Sequence, residues 1–95
     1  MHEMGIASSI LDAVRKEAAL RPGMRVAKVG VRLGELGGVD TESLRFCFDA
    51  LVLETELEPL ELAIETSSDD ALDLTYLELE EYGPRTAGTQ SAERE

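Results

Sequence analysis

The sequence of 95 residues has few of the side chains that build metal cages and active sites: one histidine and one cysteine. One histidine excludes a multi-histidine metal cage, and one cysteine excludes an internal disulfide. No Cys-x-x-Cys pair occurs, so a four-ligand zinc site is not expected. Since a phosphate-binding loop is also absent, we expect no enzyme activity.

Basic residues are also scarce, 9 against 20 acidic residues, which gives a formal net charge of −11. This charge repels a phosphate backbone and an anionic membrane surface, so we expect no nucleic acid and no membrane as partner. No apolar run approaches the roughly 20 residues of a transmembrane helix. The start MHEMGIASSI lacks the basic region and long apolar run of a secretory signal, which predicts a cytoplasmic protein.

Two stretches carry apolar residues every three or four positions, the spacing of an amphipathic helix. The first covers residues 4–20 and ends at Arg21-Pro22-Gly23, because proline cannot continue the helical hydrogen bonds. The second follows the glycine-rich loop of residues 34–38. It begins at Asp40 or Thr41, good N-cap residues, and ends near Leu53.

Three other stretches alternate apolar and polar residues, as half-buried strands do. They cover residues 24–36, with an irregularity near Ala27, residues 60–65 and residues 71–81. A turn over residues 66–70 joins the last two. Because so short a connection cannot make a parallel crossover, we expect these two strands to pair as an antiparallel hairpin.

The order helix, strand, helix, strand, strand predicts an α+β fold. The simplest packing is a two-layer sandwich in which a three-stranded sheet carries both helices on one face. We place this domain at residues 1–82. Residues 83–95 have no hydrophobic period and are expected to form a flexible tail.

His2 is the residue with the most distinctive position, because it lies beside a free N-terminal amine. That amine has a pKa near 8 and is a usable ligand at neutral pH. The imidazole and the backbone nitrogen of His2 can close a chelate ring, and the nitrogens of Met1 and Glu3 can complete a tetragonal set. Such donors suit Ni(II) or Cu(II). The alternative is that His2 is a solvated residue on a frayed terminus.

Three segments together resemble the HypA family, nickel metallochaperones of [NiFe]-hydrogenase maturation. They are MHEMGIASSILDAV at the start, VRLGELGGVDTESLRFCFDAL in the middle and LDLTYLELEE near the end. The resemblance covers roughly residues 1–81. It implies a nickel site built from Met1, His2 and Glu3, with the histidine side chain and backbone nitrogens as ligands. It also suggests Asp40 as an extra nickel contact, although a helix N-cap is the alternative role of this residue.

The resemblance further implies partners, namely the maturation GTPase HypB and the hydrogenase large subunit, with a possible link to urease nickel supply. One departure is large. Family members normally carry a zinc ribbon with two Cys-x-x-Cys pairs where this chain has only residues 66–70. We therefore expect a form that lacks the zinc ribbon and binds no structural zinc.

Other features have simpler interpretations. Cys47 lies between two phenylalanines on a helix, so it is a small core residue rather than a thiolate ligand. The alternating glutamates of the strands form a solvated face rather than a cation site. The alternative is a function of a different class, that of a metal-independent interaction module. It would act through an edge strand at Val29-Gly30-Val31 or through self-association as a homo-oligomer.

Overall fold

The computed structural model describes residues 2–81. The predicted order of elements and the α+β fold are confirmed: α1 (Glu3–Ala19), β1 (Met24–Gly34), α2 (Thr41–Val52), β2 (Glu61–Ser67) and β3 (Leu72–Glu81). A short 3-10 helix, Glu35–Gly37, precedes α2. Between residues 2 and 81, no helix is long and apolar enough to cross a membrane. The predicted tail at 83–95 lies outside the described residues.

β1 is the central strand of the sheet, whose order is β2-β1-β3. It pairs in parallel with β2 and antiparallel with β3. The predicted hairpin between β2 and β3 is therefore wrong, and so is the placement of Val29-Gly30-Val31 at an edge. β2 and β3 do run in opposite directions, but β1 lies between them.

The short link between β2 and β3 crosses the end of β1. Gly34 donates its N–H to the carbonyl of Ala71 at 2.8 Å, and Leu36 donates to the carbonyl of Asp69 at 2.9 Å. A side chain on Gly34 would collide with the backbone of this link. Because Gly34 has no side chain, the link can pass close to the backbone of β1, and a few residues are enough to cross from one side of β1 to the other. The hairpin prediction did not consider this route.

The parallel pairing of β1 and β2 determines the position of α2. Parallel neighbours need a crossover connection, and the segment between these strands contains α2. α2 packs against α1 and β2, and α1 packs against β1. The crossover therefore places both helices in one layer over the sheet.

Two irregularities explain the changes of phase in the sequence pattern. The β1–β3 register shifts between Val26 and Lys28, which confirms the predicted irregularity near Ala27. A second shift lies between Gly30 and Val31, whose partners on β3 are Tyr76 and Leu74. A bulge of this kind adds one unpaired residue to a strand. It places Leu74 and Leu77 on the same face of the sheet.

The core lies between the helices and one face of the sheet. Its most buried side chains come from three elements: Val14 of α1, Val29 and Val31 of β1, and Leu44 and Phe48 of α2. The strand residues between Val29 and Leu33 that face the core share one parity, as predicted. Burial of each such side chain contributes about 1.5–3 kcal/mol.

The other face of the sheet is polar. Lys28 of β1 lies between Glu61 of β2 and Glu78 of β3. Next to it, Tyr76 covers Gly30 so closely that a side chain there would collide with the ring. The central strand thus presents a cation to acids on both sides, and the glutamates form a solvated face.

Candidate metal site at the start of the first helix

His2 is exposed and lies directly before α1. Its carbonyl accepts a hydrogen bond from the N–H of Ile6 at 2.9 Å, which begins the helix. Its side chain makes no capping hydrogen bond. The imidazole of His2 is therefore accessible from solvent, as a metal ligand must be.

The amides in the first turn of α1 add nitrogen donors beside this imidazole. Since Ile6 makes the first helical bond, α1 supplies no carbonyl to the amides of residues 3–5. The first turn has an acidic residue, Glu3, and no capping side chain from His2. Coordination of a metal by a main-chain nitrogen here breaks no helical hydrogen bond.

Glu3 connects the start of α1 to the residue that precedes α2. Its side chain is buried, with 7% of its surface exposed. Oε2 of Glu3 accepts a hydrogen bond from the backbone N–H of Asp40 at 3.0 Å. The two residues are 37 positions apart, so no local pattern in the sequence predicts this contact.

The pKa of Glu3 is lowered to about 2. The largest cause is a hydrogen bond from the N-terminal amino group, followed by hydrogen bonds from the N–H groups of Asp40 and of Glu3 itself. Glu3 is therefore ionised at neutral pH, and its negative charge lies at the positive end of the α1 dipole. This carboxylate joins the start of α1 to the N-cap of α2.

Asp40 is the N-cap of α2, as one of its two predicted roles required. Its Oδ1 accepts hydrogen bonds from the N–H groups of Glu42 and Ser43, at 3.0 and 3.2 Å. These bonds occupy two of the four amides that a helix leaves without carbonyl partners. The second predicted role of Asp40, as a nickel contact, stays a prediction.

Side chains alone do not assemble a metal cage in the part of the chain that the structure describes. Within residues 2–81, no group of three or more His, Cys, Asp or Glu side chains is placed to hold a metal ion. Met1, the third predicted ligand residue, lies outside the described residues. Cys47 is half-buried on α2 and packs against the core, the structural role predicted for it.

An apolar groove begins at His2 and runs between α1 and β3. Its volume is about 410 Å³. His2 is joined in its lining by apolar side chains of both elements: Ile6, Ile10, Ala13, Leu72 and Leu74. Sequence reasoning missed this groove, because it exists only when β3 lies beside β1 and the helices leave β3 uncovered.

Comparison with known proteins adds independent evidence. The family described as "Hydrogenase/urease nickel incorporation, metallochaperone, hypA" matches residues 1–72. The hydrogenase maturation factor HypA of Chlorobium limicola is 48% identical over 65 residues, which are 68% of this chain and 56% of that protein. HypA of Prosthecochloris aestuarii is 39% identical over 72 residues, 76% of this chain and 64% of that protein.

The chain thus spans little more than half the length of the curated relatives it matches. The family match begins at residue 1 and includes the exposed histidine, Glu3 and the N-cap at Asp40. It therefore contains each residue of the candidate site. Since this match covers most of the chain, the protein belongs to the HypA family of hydrogenase and urease nickel-incorporation metallochaperones.

Proposed function

We propose that this protein carries Ni(II) at Met1, His2 and Glu3 and delivers it for [NiFe]-hydrogenase maturation. Nickel is the cargo, and the protein performs no catalysis on it. The exposed imidazole of His2 beside a helix start without a capping side chain is the observation that supports this proposal most directly. Such a site is open enough both to load the ion and to release it.

The donor set follows from what the first residues offer. Imidazole and main-chain nitrogens give the tetragonal coordination that Ni(II) accepts. A main-chain nitrogen binds the metal after losing its proton, and the resulting negative charge is stabilised at the N-terminal end of the α1 dipole. The side chain of Glu3 is already hydrogen-bonded to Asp40. We assign the backbone nitrogen of Glu3 to the metal and its carboxylate, which stays bonded to Asp40, to positioning. The hydrogen bond from the N–H of Glu3 to its own carboxylate is given up when this nitrogen loses its proton.

Asp40 is proposed as a further nickel contact. The hydrogen bond from its N–H to Glu3, 3.0 Å long, joins it to the start of α1. Its Oδ1 is occupied by the amides of α2, so the contact would use the other carboxylate oxygen. The charge of Asp40 would then help neutralise the bound ion.

Delivery requires a receiving protein. By the family relationship, we propose HypB and the hydrogenase large subunit as partners in the cytoplasm, with urease as a second destination of the nickel. Family members normally carry a zinc ribbon near residues 66–70. Here the side chain of Asp69 bonds to Ser67 and Ala71 within a closed turn. The proposal is that nickel binding does not require the ribbon.

The test is a titration of Ni(II) into the untagged protein, followed by calorimetry and by the visible absorption of a square-planar site. We expect one ion per chain. In His2→Ala the affinity should fall by at least about 100-fold, since loss of a ligand exceeds the loss of an outer-shell partner. Cys47→Ala is the matched control, because it removes the one thiol without touching the helix start.

The two variants separate the possible outcomes. If Cys47→Ala lowers the affinity as much as His2→Ala, the metal does not bind at the terminus. If neither variant changes the binding, the nickel is held by the acidic surface. Either result contradicts the proposed carrier site in this chain.

A further inference from the structure

The two edges of the sheet are protected differently. At the β2 edge, Arg45 of α2 donates a hydrogen bond to the carbonyl of Leu62 at 2.6 Å. β3 is longer, with ten residues against seven. No side chain of residues 2–81 is seen to hydrogen-bond to the backbone of β3. An uncovered strand of this length is a template for pairing with another chain.

The charge of β3 is of one sign. Its sequence, LDLTYLELEE, contains four acidic residues and no basic residue. On its inner side, it pairs with β1 in a register that places Asp73 opposite Arg32, Glu78 opposite Lys28 and Glu80 opposite Arg25. β3 therefore already accepts an antiparallel strand in which basic and apolar residues alternate.

The outer side of β3 presents the same acidic side chains to a second strand. Side chains of a strand stand between its two neighbours, which lie about 4.8 Å away on either side. The acids that meet β1 are thus equally near to a strand added outside, and although Glu80 is already ion-paired with Arg25, Asp73 and Glu78 form no ion pair within residues 2–81. A second copy of β3 is a poor occupant, because acids would face acids.

Apolar surface lies next to this edge. Leu72 and Leu74 remain 53% and 39% exposed, and both line the groove between α1 and β3. They lie on the helix side of the sheet, opposite Leu33 and Val31. An added strand would place alternate side chains over these leucines and bury them.

We propose that the outer edge of β3 binds an extended, basic segment of a partner protein as a fourth, antiparallel strand. Main-chain hydrogen bonds would give affinity, and the acidic row with the exposed leucines would select alternating basic and apolar residues. This interaction does not require nickel. Because the groove beside β3 also contains His2, a segment bound here lies next to the proposed nickel site.

A synthetic peptide with the sequence of β1, MRVAKVGVRLG, is the probe, because β3 pairs with this sequence in the fold. It is titrated into the metal-free, isotope-labelled protein, and amide chemical shifts are followed. We expect the largest shifts along β3 and weaker binding as salt rises. A peptide with glutamate in place of its three basic residues should not bind.

Glu78→Lys and Glu61→Lys form a matched pair of variants. Both residues lie directly opposite Lys28, one on each edge strand, so each variant changes the net charge by the same amount and replaces one acid beside Lys28. Glu78→Lys should weaken peptide binding about 3- to 10-fold, the effect of reversing a cross-strand charge pair. Glu61→Lys should leave it unchanged. Thermal unfolding of both variants checks that each is folded.

Three results would overturn the proposal. Equal weakening in both variants would mean that the peptide senses only net charge. Shifts confined to β2 or to the helices would place binding elsewhere. Sedimentation of the free protein as a dimer, with the β3 amides at its interface, would make a second copy the occupant.

Discussion

The two helices of the protein begin with different chemistry at their N-termini. α2 begins at Asp40, whose backbone is extended and whose carboxylate accepts hydrogen bonds from two amides of the first turn. α1 begins at His2, whose backbone has φ −108° and ψ 20° and whose side chain caps nothing. The N-cap side chain closes the start of α2, whereas the N-cap side chain of α1 caps no amide and the Glu3 carboxylate accepts from the N–H of Glu3 itself.

This difference assigns the stability of the fold to the start of α2 and metal binding to the start of α1. A capping side chain satisfies helix amides and stabilises the fold, but it also occupies the donors that a metal would use. Glu3 connects the two helix starts through its hydrogen bond from Asp40. The closed helix start thus provides a fixed point for the open one, where nickel is proposed to bind.

Replacing His2 by aspartate would make the start of α1 resemble that of α2. We expect His2→Asp to lower nickel affinity by at least about 100-fold, because the imidazole ligand is lost. The same change should raise the free energy of unfolding by about 0.5–1 kcal/mol, because the carboxylate caps the first turn. Nickel titration and urea denaturation measure the two effects.

His2→Ala is the control for this substitution. It removes the imidazole without adding a cap, so nickel affinity should fall while stability stays within about 0.5 kcal/mol. If His2→Asp is no more stable than His2→Ala, the amides of the α1 start do not accept a side-chain cap. The contrast between the two helix starts would then lose its physical basis.

Asp40→Ala tests the closed helix start. Loss of the cap should lower the free energy of unfolding by about 0.5–2 kcal/mol. Asp40→Asn keeps an acceptor oxygen and should change stability far less. Urea denaturation of both variants gives these values. Because Asn removes the charge but keeps the cap, a fall in nickel affinity in Asp40→Asn would support Asp40 as a nickel contact, and unchanged affinity would argue against it.

The sequence predicted the local features of this molecule well. Periodicity located both helices and all three strands, and the change of phase near Ala27 predicted a real irregularity. Asp40 was identifiable as an N-cap, since capping depends only on neighbouring residues. Each of these features is determined within a few positions of the chain.

Features set by contacts between distant residues were not predicted. β1 can be the central strand because the link between β2 and β3 crosses its end at Gly34. The alternation of apolar residues and glycine in Val29-Gly30-Val31 does not indicate whether a strand has one neighbouring strand or two. The contact of Glu3 with Asp40 is likewise between distant residues. The position of His2 in the sequence was enough to make it a candidate ligand. The exposure of its side chain could be seen only in the structure.

The smallest expected effect on stability comes from Asp69, which lies far from both helix starts. It tests whether this carboxylate stabilises its turn through hydrogen bonds, as the carboxylate of Asp40 stabilises the start of α2. A hydrogen bond from the Ser67 hydroxyl, 2.6 Å long, and one from the N–H of Ala71, 3.0 Å, lower the pKa of Asp69 in the folded state. Its contribution to stability is therefore complete above the unfolded pKa, about 3.9, and is lost as pH falls through the folded pKa.

Asp69→Ala should destabilise the protein at pH 6, and the difference from the parent should shrink as the pH falls below about 4. Thermal unfolding across this range measures it. Asp73→Ala is the control, since Asp73 is also exposed but accepts none of the hydrogen bonds of the turn. A difference from the parent that is independent of pH would mean that Asp69 does not stabilise the turn through the charge of its carboxylate, because the backbone carbonyl that accepts from Leu36 is present in both proteins.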